Sequence, residues 1–315
     1  MKNLTKIIFF TDVHGSEVVY RKALNAAIIY KADILIHGGD ISGKYIVPVF
    51  KINDDLYETT ILGENLKTNL KEIENRIDRI GGYLYLTNKT EWNELIKDSK
   101  KMDQIYLDLA KNKLKKWLKL AEDHLKPKNI KFYANIGNDD HEDLEKIIEE
   151  SSFVINPNKK IIKIDQYHEM LSLSYANITP WNCYGDRDEE TLFKILDDLA
   201  KKLENPSSSI FNLHCPPFET NIDLAPKLDK DLKPIYIAGG EPEFTHVGCK
   251  AVKDIIKKYE PLIGLHGHIH ESNGFDKIGK TTVFNPGSEY TASIFKGLLI
   301  NLSEKKLESY MFLNG

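Results

Sequence analysis

Five short blocks of this chain carry side chains of the kinds that bind metal ions. They are Asp12-Val13-His14, Gly39-Asp40, Gly137-Asn138-Asp139-Asp140, His214, and Gly267-His268-Ile269-His270. Their donors mix carboxylate and amide oxygens with imidazole nitrogens, a set that suits Mn, Fe, Zn or Ni better than Ca or Mg alone. Cations held this way polarise an ester and make an ionised water available at neutral pH, so the set reads as a two-metal hydrolytic site. Each block alone is uninformative. Their shared setting, at the end of an apolar run, is what joins them.

The runs in question, such as Lys6-Ile7-Ile8-Phe9-Phe10 and Ala32-Asp33-Ile34-Leu35-Ile36, are short, continuous and apolar, which predicts buried strands. Open α/β sheets bind ligands beyond the carboxyl ends of their strands, so five strand ends could bring the five blocks to one point. A helix start at Ser16-Glu17 between the first two strands gives a β-α-β opening with a right-handed crossover. About a hundred residues then separate Asp40 from Asn138, far more than an ordinary connection needs. Within them, 64–80 and 90–125 have helical periodicity, with Gly81-Gly82 as a stop. Trp92, Leu95, Met102, Ile105 and Leu109 mark an apolar stripe. Lys113 interrupts it, and Leu114, Trp117, Leu118 and Ala121 continue it at a shifted phase. This predicts a helical hairpin packed on the core, with a cap over the site or a dimer contact as its functional alternatives. Beyond it the pattern predicts strands at 130–136, 161–164, 170–175, 210–214, 261–266, 281–285, 297–302 and 307–312. Helices are predicted at 141–150, 188–203 and 247–259, and a long loop at 217–246.

Of the 315 residues, 41% are hydrophobic and 29% charged, with a net charge of -4. That balance gives no electrostatic reason for non-specific nucleic-acid binding. Lys111, Lys113, Lys115 and Lys116 read as a solvated helix face, with a local basic patch as the reading that would leave nucleic acid open as a partner. The chain shows no signal-peptide pattern and no run long enough to span a bilayer, so the expectation is a cytoplasmic protein with no membrane partner. Cys183, Cys215 and Cys249 are scattered and odd in number, which implies neither a disulfide framework nor a CxxC metal site.

In order and context the five blocks resemble the signature of the calcineurin-like metallophosphoesterase superfamily, D-x-H, G-D, G-N-H-D, H and G-H-x-H, over about residues 6–302. The resemblance implies an α/β fold, a layered αββα sandwich of two mixed β-sheets flanked by helices. It implies a single metallophosphoesterase domain over 1–315 with a helical insertion at about 44–128. It also implies two divalent transition metal ions, Mn foremost, with Fe, Zn and Ni as alternatives. One would sit on Asp12, His14, Asp40 and His270. The other would sit on Asp40, Asn138, His214 and His268, with Asp40 shared, which offsets part of the repulsion between the cations. The implied activity is hydrolysis of a phosphodiester, cyclic or nucleotide esters included, by attack of a metal-bridging hydroxide. A phosphomonoesterase and a non-catalytic interaction scaffold are the alternatives. The partner is then a small phosphorylated substrate, nucleotides among the candidates.

One position departs from the signature. The family usually has His after the Asn, where it touches a phosphate oxygen or protonates the leaving group; here it is Asp139. A carboxylate beside an anionic substrate repels it, and nearby dications keep it ionised. Asp139 and His141, the nearest imidazole in sequence, are therefore the candidates for a catalytic group, and His141 falls at a helix start. Leaving groups that need little protonation would be hurt least. Candidate substrate-binding residues are Trp181, which could stack on a base or sugar, and His246, ahead of a helix start. His266 is expected to support its neighbours, Asn285-Pro286-Gly287-Ser288 to shape the loop beneath the site, and His37, His124 and His168 to be structural.

Overall fold

Side chains of the first strand, Thr5–Phe10, alternate between two cores, as a strand buried on both faces requires. Ile7 and Phe9 face one apolar cluster, Ile8 and Phe10 another, and all four are fully buried. The structure is a computed structural model that describes residues 4–315. In it the first strand pairs in parallel with Ile34–His37, which pairs in parallel with Lys131–Ala134. On its other side it pairs antiparallel with Lys296–Ser303, which carries Lys306–Asn314 at the edge. This five-stranded sheet faces a six-stranded one, in the order Gly274–Ile278, Thr281–Asn285, Ile263–Leu265, Ile210–Leu213, Glu169–Leu173, Lys160–Lys163. The four inner strands of the second sheet are parallel and its two edges antiparallel.

Three apolar layers hold the stack. Ile7, Phe9, Ile36, Met170, Leu265 and Phe284 meet between the sheets. Outside the first sheet, Ile8, Phe10 and Leu35 pack against the helix Glu17–Ile29 and the long helix Ser99–Leu125. Outside the second, Leu171, Phe211 and Val283 pack against Glu189–Ala200 and Lys250–Tyr259. The expected sandwich of two mixed sheets between helices is therefore the observed one. No helix among the described residues is long and apolar enough to cross a membrane.

The segment between the second and third strands of the first sheet has the expected helices, and also a four-stranded sheet that the sequence reading did not contain. Its order is Glu64–Thr68, Tyr57–Ile61, Ile46–Lys51, Tyr83–Thr87. Residues 64–68, expected to begin a helix, form a strand, and the helix runs over Leu70–Ile80 with Asn69 as its N-cap and Gly81 as its C-cap. Val47, Val49, Ile61, Leu66, Ile73 and Ile77 form a small core of their own beneath this sheet. The second helical stretch is two helices, Lys89–Leu95 and Ser99–Leu125, the latter capped by Asp98. The shift in apolar phase at Lys113 lies within the long helix, where Met102, Ile105 and Leu109 are only half-buried beside the buried face. The long helix buries Leu107, Ala110, Leu114, Trp117, Leu118 and Ala121 against the first sheet's helical layer. There Trp117 stacks on Tyr20 at 4.2 Å and donates through Nε1 to Glu17. The 217–246 loop contains a short hairpin of Leu224–Pro226 with Phe244–His246.

Candidate metal centre

Each of the five blocks begins within a few residues of a strand's carboxyl end, and three of them use strained backbone. Asp12, His14, Asp40 and His268 all have positive φ, at 53°, 39°, 55° and 68°. Left-handed backbone is costly for side chains of this size and gathers at functional sites. Gly137 brings the fourth block close, since a Cβ there would collide with the Asp40 carboxylate. The turns aim their side chains at one buried point between the two sheets' ends.

Two candidate groups of ligand atoms result, Asp12 with His14 and His270, and Asp40 with His214 and His268. The groups adjoin one another. His14 Nε2 lies 3.0 Å from His270 Nε2 and 3.6 Å from Asp40 Oδ2. His214 Nε2 lies 3.4 Å from Asp40 Oδ1, and His270 Nε2 3.5 Å from Asp12 Oδ1. Asp40 thus stands between them with one oxygen toward each. A third grouping of His14 and Asp40 with Asp139 overlaps both.

The surroundings orient these atoms. Asn138 donates its Nδ2 to Asp186 Oδ1 at 2.9 Å, which turns its Oδ1 inward, buried and without a partner. His214 donates Nδ1–H to the Gly38 carbonyl at 3.1 Å, and its buried Nε2 makes no hydrogen bond. Such a partner on one ring nitrogen fixes the other as the free donor atom. His268 N donates to both Asp12 oxygens, at 3.1 and 3.0 Å, and Asp139 N to Asp40 Oδ1 at 3.1 Å. Asp140 accepts from Gly137 N, Ile41 N, Ser42 N and the Ser42 hydroxyl, tying the second block to the third. Burial, and then Asp40 beside it, push the Asp140 carboxyl up to about 6.

Electrostatics keep the two carboxylates ionised and divide the imidazoles. Burial pushes His14 down to about 3 and His268 down to about 4, so both imidazoles are neutral, as a ligand must be. Burial also raises Asp12 and Asp40. Hydrogen bonding to His270 and the charges of His214 and His270 outweigh that at Asp12, and His214 and His14 do so at Asp40, so both stay below the usual carboxylate range. His214 is lowered by burial but carried up to about 10 by Asp40. Two buried carboxylates, an inward amide oxygen and four imidazoles form a donor set that fits two transition metal ions.

The remaining sequence candidates separate. Asp139 reaches the centre, where its Oδ2 pairs with Lys44 Nζ at 2.7 Å and its Oδ1 accepts from Cys183 Sγ at 3.0 Å. His141 Nδ1 accepts from Asp143 N at 3.1 Å, and its ring packs on Tyr184, so it serves a helix start. Trp181 is 62% exposed on the loop that supplies Cys183 and Asp186. His246 pairs with Asp223 at 2.7 Å and packs on Phe218, inside the hairpin. His266 donates to the carbonyls of Leu213 and Cys215, bracketing His214 as a support. Asn285 holds the carbonyls of Gly267 and Ile269, and Ser288 donates to the Asp12 carbonyl at 2.6 Å. His37, His124 and His168 bond to Asn135 O, Leu120 O and Asp165 respectively. A cleft of about 460 Å³ opens beside His270, lined by Asn273, Ser288, Glu289, Tyr290, Thr291 and Lys296.

Sequence reasoning did not single out Lys44, Cys183, Asp186 or Tyr290. Lys44 had one signal, its position four residues after Asp40, and Asp186 had none. Of the four lysines read as a helix face, Lys111 pairs with Asp143, Lys113 with Asp78, and Lys115 with Glu150.

Two mixed sheets stacked between helices are the architecture of the calcineurin-like metallophosphoesterase superfamily, and this chain has that fold. One solved structure superposes with a TM-score of 0.56 at 12% identity, covering 98% of each chain. A protein from Thermus thermophilus superposes with a TM-score of 0.51 at 10% identity, covering 96% of this chain and 100% of its own. In sequence, an uncharacterised protein of Methanocaldococcus jannaschii is 34% identical over 148 residues, which are 46% of this chain and 59% of that protein. The chain thus matches about three-fifths of that relative's length. No protein-family profile matches the sequence.

Proposed function

We propose that this chain is a dinuclear-metal-dependent phosphoesterase of the calcineurin-like superfamily, acting on phosphodiesters ahead of monoesters. The observation that carries the reading is the pair of adjoining ligand groups, Asp12–His14–His270 and Asp40–His214–His268, with Asp40 between them. Asp12, His14, Asp40 and His270 would hold one ion, and Asp40, Asn138, His214 and His268 the other, with manganese the proposed metal. When bound, the pair supplies Lewis acidity and a nucleophile at neutral pH. The chain's own residues orient that chemistry. Asp186 aims the Asn138 oxygen, Gly38 and His266 hold His214, and Asn285 and Ser288 support the loops of the fifth and first blocks. The whole chain is proposed to act as one catalytic unit, with 44–128 as an insertion.

The preference for diesters rests on Asp139. A carboxylate held between Lys44 and Cys183 stands where an imidazole would otherwise protonate a leaving alcohol. His141, engaged at its helix start, is a poor replacement. Esters with acidic or strained leaving groups need that proton least, and cyclic and nucleotide diesters are among them. The cleft beside His270 offers room for the rest of a small substrate.

The test is hydrolysis of paired nitrophenyl mono- and diesters by metal-stripped chain reloaded with Mn, beside His268→Ala. Metal-dependent diester cleavage that disappears in the variant is the expected result. Faster monoester than diester cleavage would reverse the preference. Absence of both turnover and stoichiometric metal would leave an interaction scaffold as the better reading.

A further inference from the structure

We propose that Asp139 is a direct ligand of the ion held by Asp12, His14 and His270, an added oxygen donor where the superfamily signature carries a histidine. This rests on the dinuclear reading of the site and gives a role to the one residue that departs from the motif.

The backbone sets Asp139 against the shared carboxylate. Its N–H donates to Asp40 Oδ1 at 3.1 Å. Gly137, two residues earlier, lets the turn close on Asp40, since a Cβ there would overlap that carboxylate. The Asp139 side chain then joins His14 and Asp40 in one group, with donor atoms all within 4.8 Å of one another. Two donors of one ion stand at most about twice a bond of roughly 2.2 Å apart, so a small adjustment brings the three onto a common ion. On the same turn the Asn138 Oδ1 is buried without a partner. Two consecutive side chains therefore offer oxygens to the centre.

Outer contacts aim the carboxylate, as they do for ligating carboxylates in general. Lys44 Nζ lies 2.7 Å from Oδ2, and the Cys183 thiol donates to Oδ1 at 3.0 Å. Each oxygen keeps a further lone pair for an ion. The loop that carries Cys183 is itself fixed. Cys183 N, Thr179 N and the Thr179 hydroxyl all donate to Asp186 Oδ2, at 3.1, 2.9 and 2.6 Å. Gly185 N donates to Asn138 O at 2.9 Å, and the other Asp186 oxygen accepts from Asn138 Nδ2. Asp186 thus aims the Asn138 oxygen directly and the Asp139 carboxylate through Cys183. An added carboxylate favours Mn over Zn, which imidazoles suit. With Asp139 the first ion draws on more protein donors than the second, and a site filled by protein is closed to substrate. The second ion, on Asp40, Asn138, His214 and His268, is then the one left open to an ester. The repulsion expected between Asp139 and an anionic substrate is reduced, because its charge faces a cation.

Diffraction from crystals of the full, Mn-loaded chain, with the ions located by anomalous scattering, tests this directly. The expected result is an Asp139 oxygen within about 2.5 Å of the ion on Asp12, His14 and His270. Asp139 farther than that from this ion would overturn the proposal. Chelator competition on Asp139→Ala and Asp139→Asn gives a second measure in solution. One of the two Mn ions should bind at least about 10-fold more weakly in Asp139→Ala, since removal of even an orienting partner costs about 10–100-fold. The loss should be smaller in Asp139→Asn, whose amide oxygen can still ligate, and the preference for Mn over Zn should fall in both. Equal Mn affinity in wild type and Asp139→Ala would overturn the proposal, as would an equal loss of both ions. Nitrophenyl diester turnover by the wild type separates this from the phosphoesterase reading. Metal-dependent turnover with Asp139 away from the ion removes Asp139 as a ligand and leaves the phosphoesterase standing. An ion ligated by Asp139 without ester turnover keeps the ligand and removes the phosphoesterase.

Discussion

The sandwich and the inserted segment meet at the candidate centre but are built by different rules. The sandwich contributes side chains, seven candidate ligands on turns at the ends of strands buried on both faces, four of them on left-handed backbone. The inserted segment contributes almost no side-chain chemistry of that kind. It offers the hydroxyls of Tyr83 and Tyr106 and the backbone of Gly81, which hold the loop after Asp40. Its four-stranded sheet and the helix Leu70–Ile80 fold around a small core of their own, while its long helix joins the outer layer of the first sheet. A site assembled this way separates two jobs. Metal geometry belongs to the rigid strand ends, and the placement of Lys44 depends on both.

That separation can be broken by experiment. The largest expected effect comes from Ile73→Ala, which opens the inserted core at a fully buried side chain and should cost about 2–5 kcal/mol locally. Hydrogen exchange should show the loss confined to 46–87, with metal content unchanged. Loss of metal in this variant would mean that the two regions form one cooperative unit. Next is Asp186→Ala, which frees the Asn138 amide to rotate and should weaken metal binding about 10–100-fold, as removal of an orienting partner typically does. Competition with a chelator measures it, and unchanged affinity would detach Asn138 from the centre.

The smallest effect lies far from the site, at the seam where Asp165 joins Thr5 and His168. Burial raises its carboxyl, but hydrogen bonds from His168, Thr5 and the Tyr167 and His168 amides outweigh that and hold it below its ordinary 3.8. A depressed carboxyl adds stability above its unfolded value and loses it as the pH falls below. Asp165→Asn should therefore cost about 1–2 kcal/mol at neutral pH, and the gap in urea midpoints should close as the pH drops below about 4. A gap independent of pH would assign the cost to packing instead.

The two regions also differ in how much the sequence discloses. The inner strands of the sandwich are buried on both faces, so they read as unbroken apolar runs, and the ligand blocks stand out as polar residues soon after them. The inserted strands lack that contrast. Glu64–Thr68 buries only Leu66, and its hairpin turns on Leu62-Gly63, both at positive φ, without the Asn-Gly or Asp-Gly that marks such a turn. Ile46–Lys51 contains Pro48, which argues against a strand in an isolated reading. The break before the long helix, capped by Asp98, falls inside a stretch that reads as one apolar stripe, because Trp92 and Leu95 keep helical spacing with Met102 across it. Lys44 had only its place four residues after Asp40. A single lysine in a loop acquires meaning only once Asp139 is found beside it.

Most direct for the central claim is the electron paramagnetic resonance spectrum of the Mn-loaded chain, wild type beside Asp40→Asn. Two ions sharing the Asp40 carboxylate should give an exchange-coupled multiline signal in the wild type that reverts to the spectrum of isolated Mn, or is lost with the metal, in the variant. A wild-type spectrum of isolated Mn alone, at full metal loading, would contradict the dinuclear centre.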